Sequence, residues 1–155
     1  MGQIRVTVID DDADVLDLFR EILEEDGFAV ETVSEAMPGI ERIVASRPDL
    51  LIVDLLLDPH REELTGLQLV HAARSSSELR SVPIIVCSAD PPGLEAAWPE
   101  LMDRGDIHQL SKPFNLATFE RVLATALGRP QPGNRGGEAG TLSAIEPDDE
   151  LEGTP

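Results

Sequence analysis

Four places in this sequence carry residues that could do chemistry together. Asp10-Asp11-Asp12 is a run of three carboxylates, and Asp54 is a further acid that ends an apolar stretch. Ser88 is a hydroxyl at the end of another apolar stretch, followed by Ala89. Lys112 is the only lysine in the chain, against eleven arginines, and Pro113 follows it at once. Lysine presents a compact ammonium on a flexible stem where arginine presents a wide planar fork, so Lys112 marks a position that wants a point charge. Crowded carboxylates repel one another unless a cation or proton intervenes. A hard divalent ion answers this: Mg²⁺ takes octahedral oxygen ligands, keeps waters, and accepts one or two carboxylates plus a phosphate oxygen. With Ser88 as a hydroxyl donor and Lys112 as a fixed positive charge, these are the parts of a phosphoryl-transfer site, where catalysis is mostly positioning and charge neutralisation.

The surrounding sequence must bring these parts together. Residues 4–9 are short and β-branched and stop at the aspartates, which reads as a strand ending in a loop. A helix follows, with Val15, Leu16, Leu18, Phe19, Ile22 and Leu23 on one arc and Gly27 as a left-handed terminator. The unit then recurs. Strands are expected at residues 28–33, 49–54, 82–88 and 107–110, and helices from a Ser34 cap to about Ser46, over 66–76, over a stretch broken at Pro99, and over 115–127. Apolar strands without alternation, separated by helices, argue for a central parallel sheet of five strands with helices on both faces. In such sheets ligands bind beyond the carboxyl ends of the strands. All four chemical clusters fall at those ends.

Composition narrows the function classes. The chain of 155 residues carries a formal charge of -18, spread as 24 acids against 10 bases over residues 1–128 and 6 against 2 over 129–155. Such a field disfavours nucleic acid and anionic membrane and favours divalent cations or basic protein surfaces. No run approaches a membrane span or a signal peptide, and the single Cys87 lies in an apolar run as a core residue, which fits a reducing cytoplasm. Residues 129–155 are rich in Pro, Gly and acids and are expected to form a disordered tail after a domain at 1–128. Met1 and the polar terminus at Pro155 favour a complete single-domain protein.

Four motifs carry a resemblance: Val8-Ile9-Asp10-Asp11-Asp12, Leu51-Ile52-Val53-Asp54-Leu55, Val86-Cys87-Ser88-Ala89 and Ser111-Lys112-Pro113-Phe114. In this order at these strand ends, they make residues 3–128 resemble the receiver domains of two-component response regulators. The resemblance implies a flavodoxin-like α/β fold with strand order 2-1-3-4-5. It implies that Asp54 is the phosphoacceptor. Mg²⁺ would be held by Asp11, Asp54 and the backbone carbonyl of Leu56, with Asp10 acting mainly through a bound water. Ser88, the Ala89 amide and Lys112 would bind the phosphoryl group, and Pro113 would follow a cis bond. A histidine kinase or phosphotransfer protein would supply the phosphoryl group, and Leu16 would help to dock it. The output would pass to a downstream protein target, from a monomer or weak homodimer, with no chemistry on any other substrate. The rival readings are a phosphorylation-independent adaptor and the receiver portion of a hybrid histidine kinase. A flavin-phosphate site is excluded by the three aspartates, and a dehalogenase-type phosphatase wants a second carboxylate where Leu56 stands.

Individual residues also have plainer readings. Asp12 and Asp14 suit a helix start. Alone, Asp54 reads as a loop acid and Ser88 as a satisfied strand-end hydroxyl; only the joint pattern makes them a site. His60, His71 and His108 lack metal-ligand spacing, and Trp98 reads as a packing residue. The sequence departs from the receiver pattern twice. The proline and glycine that receivers carry four and eight residues past the acceptor stand here at Pro59 and Gly66, so the loop is longer, with an insert over about 58–64. The usual aromatic switch position before the lysine is occupied by Gln109.

Overall fold

The computed structural model describes residues 2–34, 39–55, 65–89, 91–103 and 105–129. The inserted loop, Leu56, and residues 130–155 of the expected tail lie outside the described residues. The chain divides into two compact units, one ending at Phe114 and the other beginning at Asn115.

The first unit holds β1 (Arg5–Ile9), α1 (Ala13–Glu25), β2 (Ala29–Val33), α2 (Ile40–Ala45), β3 (Leu50–Asp54), α3 (Thr65–Ser75), β4 (Ile84–Ser88), α4 (Pro91–Met102) and β5 (Ile107–Ser111). The sheet is parallel throughout, in the order β2-β1-β3-β4-β5. Every residue of β3 and β4 is buried, as an interior parallel strand demands. Because side chains alternate along a strand, Ile9, Leu51, Val53, Ile84 and Val86 share one face. There they join Ile43 of α2, Leu69, Val70 and Ala73 of α3, and Ala97 and Leu101 of α4. The other face takes α1, which lies against β1 and β2 and buries Leu16, Phe19 and Leu23. Each fully buried Leu, Ile or Phe contributes about 1.5–3 kcal/mol of apolar transfer.

α1 starts where its cap chemistry says it should: the Asp12 side chain accepts the Asp14 N–H, and Gly27 follows the helix at φ 92°. α2 starts later than the Ser34 cap predicted, with Gly39 in extended conformation as its N-cap. α4 runs through Pro99 rather than breaking there. Trp98 is partly buried against the core, so packing of that helix outweighs the one hydrogen bond that Pro99 cannot make. The second unit, in its described part, is α5 (Leu116–Leu127), capped by the Asn115 side chain on the Thr118 N–H and ended by Gly128 at φ 68°. Among the described residues no helix is long and apolar enough to cross a membrane.

Candidate functional site

The site is built from residues at the carboxyl ends of four strands, the first past β1 and β5 and the last of β3 and β4. Asp10 continues the β1–β2 ladder by one bond, its N–H donating to the Val33 carbonyl at 3.1 Å, which sets its carboxylate at the carboxyl edge of the sheet. That carboxylate is only 2% exposed. Its Oδ1 accepts the Asp12 N–H at 2.9 Å and its Oδ2 accepts Lys112 Nζ at 2.7 Å. Asp54 closes β3 in register with Cys87 and is also buried, with Oδ2 at 3.4 Å from Lys112 Nζ. Ser88 ends β4 and is buried, while Ala89 beside it is exposed. The Lys112 N–H donates to the Ser88 carbonyl at 2.8 Å, and the Lys112–Pro113 bond is cis.

Two buried carboxylates therefore pair with one ammonium, and a third stands beside them. Ligand atoms of Asp10, Asp11 and Asp54 all lie within 4.8 Å of one another. Oxygens around Mg²⁺ at 2.0–2.1 Å stand roughly 2.9 Å apart when adjacent and 4.1 Å when opposite on an octahedron, so these carboxylates need to close by at most about 2 Å to share an ion. The donors are all hard oxygens, which fits Mg²⁺ and excludes the soft-metal alternatives. The charge balance tells the same story. Burial, and then the Asp10 charge, push the Asp11 carboxyl above its ordinary value, with Lys112 only partly opposing them. Burial works to lower the Lys112 ammonium, but the hydrogen bond it donates to Asp10 and the charges of Asp54 and Asp10 outweigh it and hold the group above its ordinary value. The Cys87 thiol is pushed strongly upward by burial, which leaves it an inert neighbour rather than a nucleophile.

Comparison with known proteins gives the family of the chain. The sequence model of the response regulator receiver domain matches residues 6–124. The chain belongs to the response regulator receiver family. It is 27% identical over 140 residues to the response regulator MprA of Mycolicibacterium vanbaalenii, an alignment that covers 90% of this chain and 57% of that protein. The chain thus spans just over half the length of the curated relatives it matches. Among solved structures, the chemotaxis response regulator CheY4 of Vibrio cholerae is 25% identical, with a TM-score of 0.69 over 81% of this chain and 99% of that one. The receiver domain of the sensor histidine kinase PA1611 from Pseudomonas aeruginosa, with a magnesium ion coordinated in its active site cleft, shares the fold at 22% identity. Its TM-score is 0.66, over 82% of this chain and 99% of that one.

Within this receiver, the structure brings together Asp10, Asp11, Asp54 and Lys112, with Ser88 joined to Lys112 through its backbone. Leu16 does not stand where a docking residue would: it is buried at 5% exposure, and Leu18 on the same helix is exposed at 46%. The packed face of α1 is narrower than its apolar arc, and the side that meets the sheet is the one with Leu16, Phe19 and Leu23. Gln109 is exposed on β5, opposite Val86. His71 pairs with Glu100 and His108 with Asp106, each at 2.5 Å, while His60 lies outside the described residues.

Sequence reasoning undervalued Gly66. Its N–H donates to the Leu55 carbonyl at 2.8 Å, and a Cβ there would stand 2.1 Å from the Asp54 carbonyl oxygen. The start of α3 is thereby pressed directly onto the backbone of Asp54. The receiver glycine was legible by type, but its displacement by the insert hid which contact it makes.

Proposed function

We propose that the receiver accepts a phosphoryl group on Asp54 in a Mg²⁺-dependent reaction and signals through protein contacts. The observation that carries this reading is the shared ammonium: Lys112 Nζ lies 2.7 Å from Asp10 and 3.4 Å from Asp54, beside a carboxylate trio within 4.8 Å. Asp10, Asp11 and Asp54 would hold the ion, together with the Leu56 carbonyl, which lies outside the described residues. The ion would offset the charge on the phosphoryl oxygens, which is the chemistry a divalent cation supplies in phosphoryl transfer. An Asp54 carboxylate oxygen attacks phosphorus; the new O–P bond forms as the donor's bond to phosphorus breaks, and the leaving group keeps its electron pair. Lys112 passes from pairing with Asp54 to pairing with the transferred group, and the Ser88 hydroxyl and Ala89 N–H bind the remaining oxygens.

The donor is a phosphohistidine on a kinase or phosphotransfer protein, and the acidic surface suits basic partner faces. A second reading, an adaptor that works without phosphorylation, draws on the non-aromatic, exposed Gln109. One experiment addresses both. Asp54→Asn is expected to abolish labelling by acetyl phosphate in Mg²⁺, with labelling of the parent lost on chelation. Equal labelling of parent and variant would place the acceptor elsewhere, and no labelling of either would favour the adaptor.

A further inference from the structure

We propose that Phe114 is a positioning residue for Lys112, holding its ammonium in register with the carboxylates by stacking on Phe19 of α1. The inference rests on Lys112 belonging to the proposed site. The lysine stem has four flexible carbons, and the 2.8 Å bond from the Lys112 N–H to Ser88 anchors only its root. Two residues on, the Phe114 ring stacks on Phe19 with centroids 5.5 Å apart and planes at 26°. Phe19 is 1% exposed, on the sheet-facing side of α1. The same helix starts from Asp12, whose N–H donates to Asp10 Oδ1 while Asp10 Oδ2 accepts the ammonium.

The contacts therefore close a ring. From Lys112 it passes through Asp10 and Asp12 into α1, along α1 to Phe19, across the stack to Phe114, and back through Pro113. The cation and the Asp10 carboxylate are thus referred to one helix rather than to two separate loops. Offset aromatic stacking has a preferred geometry, which an aliphatic side chain filling the same space would not reproduce.

Lys112 is the only lysine of the chain, so lysine labelled with ¹³C at Cε gives a single methylene signal from the intact protein. Held in one rotamer between Asp10 and Asp54, its two protons differ in chemical shift; freed to rotate, they merge. The parent and Phe114→Tyr are expected to show the split signal. Phe114→Leu and Phe114→Ala are expected to lose it while their amide spectra keep folded dispersion. Labelling by acetyl phosphate should fall by about tenfold or more in the Leu and Ala variants and return with Tyr. A folded Phe114→Leu protein that keeps the split signal overturns the proposal, as does a parent that never shows it. Should Phe114→Ala not fold, Phe19→Leu removes the stack from the other side, and a retained splitting there overturns it equally. Lost splitting with unchanged labelling upholds the positioning role and counts instead against Lys112 as part of a phosphoryl-transfer site.

Discussion

The two ends of the parallel sheet both keep polar groups out of water, and they are finished in opposite ways. Toward the amino ends, hydroxyls, backbone carbonyls and the Asp49 carboxylate, which accepts the Arg5 N–H at 2.9 Å, close the network. The Thr7 and Ser46 hydroxyls share a bond of 2.7 Å, and Ser46 donates onward to the Ile43 carbonyl at 2.7 Å. The Arg74 guanidinium donates to three backbone carbonyls, of Leu79 at 3.1 Å, Val82 at 2.9 Å and Asp106 at 3.1 Å. One cation thereby ties together the turns that enter β4 and β5. At the carboxyl ends, Asp10 and Asp54 share the single ammonium of Lys112, and Asp11 adds a third carboxylate beside them. Satisfied polar networks hold a fold together, whereas surplus like charge works against it and persists where a ligand uses it.

That contrast can be broken at several points. The largest effect is expected at Gly66, the contact between α3 and the charged end. Gly66→Ala would set a Cβ 2.1 Å from the Asp54 carbonyl oxygen and 2.6 Å from Leu55 Cα, and is expected to cost about 3 kcal/mol. Labelling should slow in parallel, because the backbone that must yield carries Asp54; denaturant titration and labelling of the same sample would expose any separation. Arg74→Met at the opposite end is expected to cost about 2 kcal/mol by stripping donors from the turn carbonyls. Acetyl phosphate labelling of the folded variant should match the parent, and a drop would mean that the two ends are coupled.

Mg²⁺ should act on one end alone. At ten times its dissociation constant it is expected to stabilise the parent by about 1.4 kcal/mol, with little gain in Asp11→Asn and the full gain in Arg74→Met. Thermal melts with and without chelator read this directly. The smallest effect is Asp11→Asn without the ion. Asp11 is an acid whose folded pKa is raised above 3.8, so it opposes folding as pH climbs through that raised value and has no effect below 3.8. The variant should match the parent in stability at low pH and exceed it at neutral pH, by about 0.5 kcal/mol or less because solvent screens a partly exposed group. Greater stability of the parent at neutral pH would show that Asp11 already has a partner that offsets the repulsion. Lys112 has the opposite sense: its stabilisation is present below 10.5 and is lost as pH rises through its raised value.

Much of the fold was legible because burial writes itself into local pattern. Residues 49–54 read as an interior strand with no alternation, and β3 forms over Leu50–Asp54 with all of it buried. α1 carries its own start and stop in Asp12 and Gly27. Legibility failed where two local signals compete and packing arbitrates. Pro99 argues for a break, yet Ala97 and Leu101 bury on either side of it and α4 continues. Leu16 and Leu18 are equally apolar, and only the angle at which α1 meets the sheet makes one core and the other surface.

The same division runs through the site. The sequence by itself determined the chemical inventory: hard carboxylates at two strand ends, a hydroxyl at a third and a single lysine at a fourth, because residue type and the place where an apolar run stops are local properties. Tertiary structure alone decided the partnerships. That Lys112 meets Asp10 at 2.7 Å across 102 residues, that Gly66 presses on Asp54, and that Phe114 reaches Phe19 all depend on how parallel strands and their covering helices set side chains from distant segments against one another. Contacts at that sequence separation have no local signature, since the chain encodes them only through the register of the whole sheet.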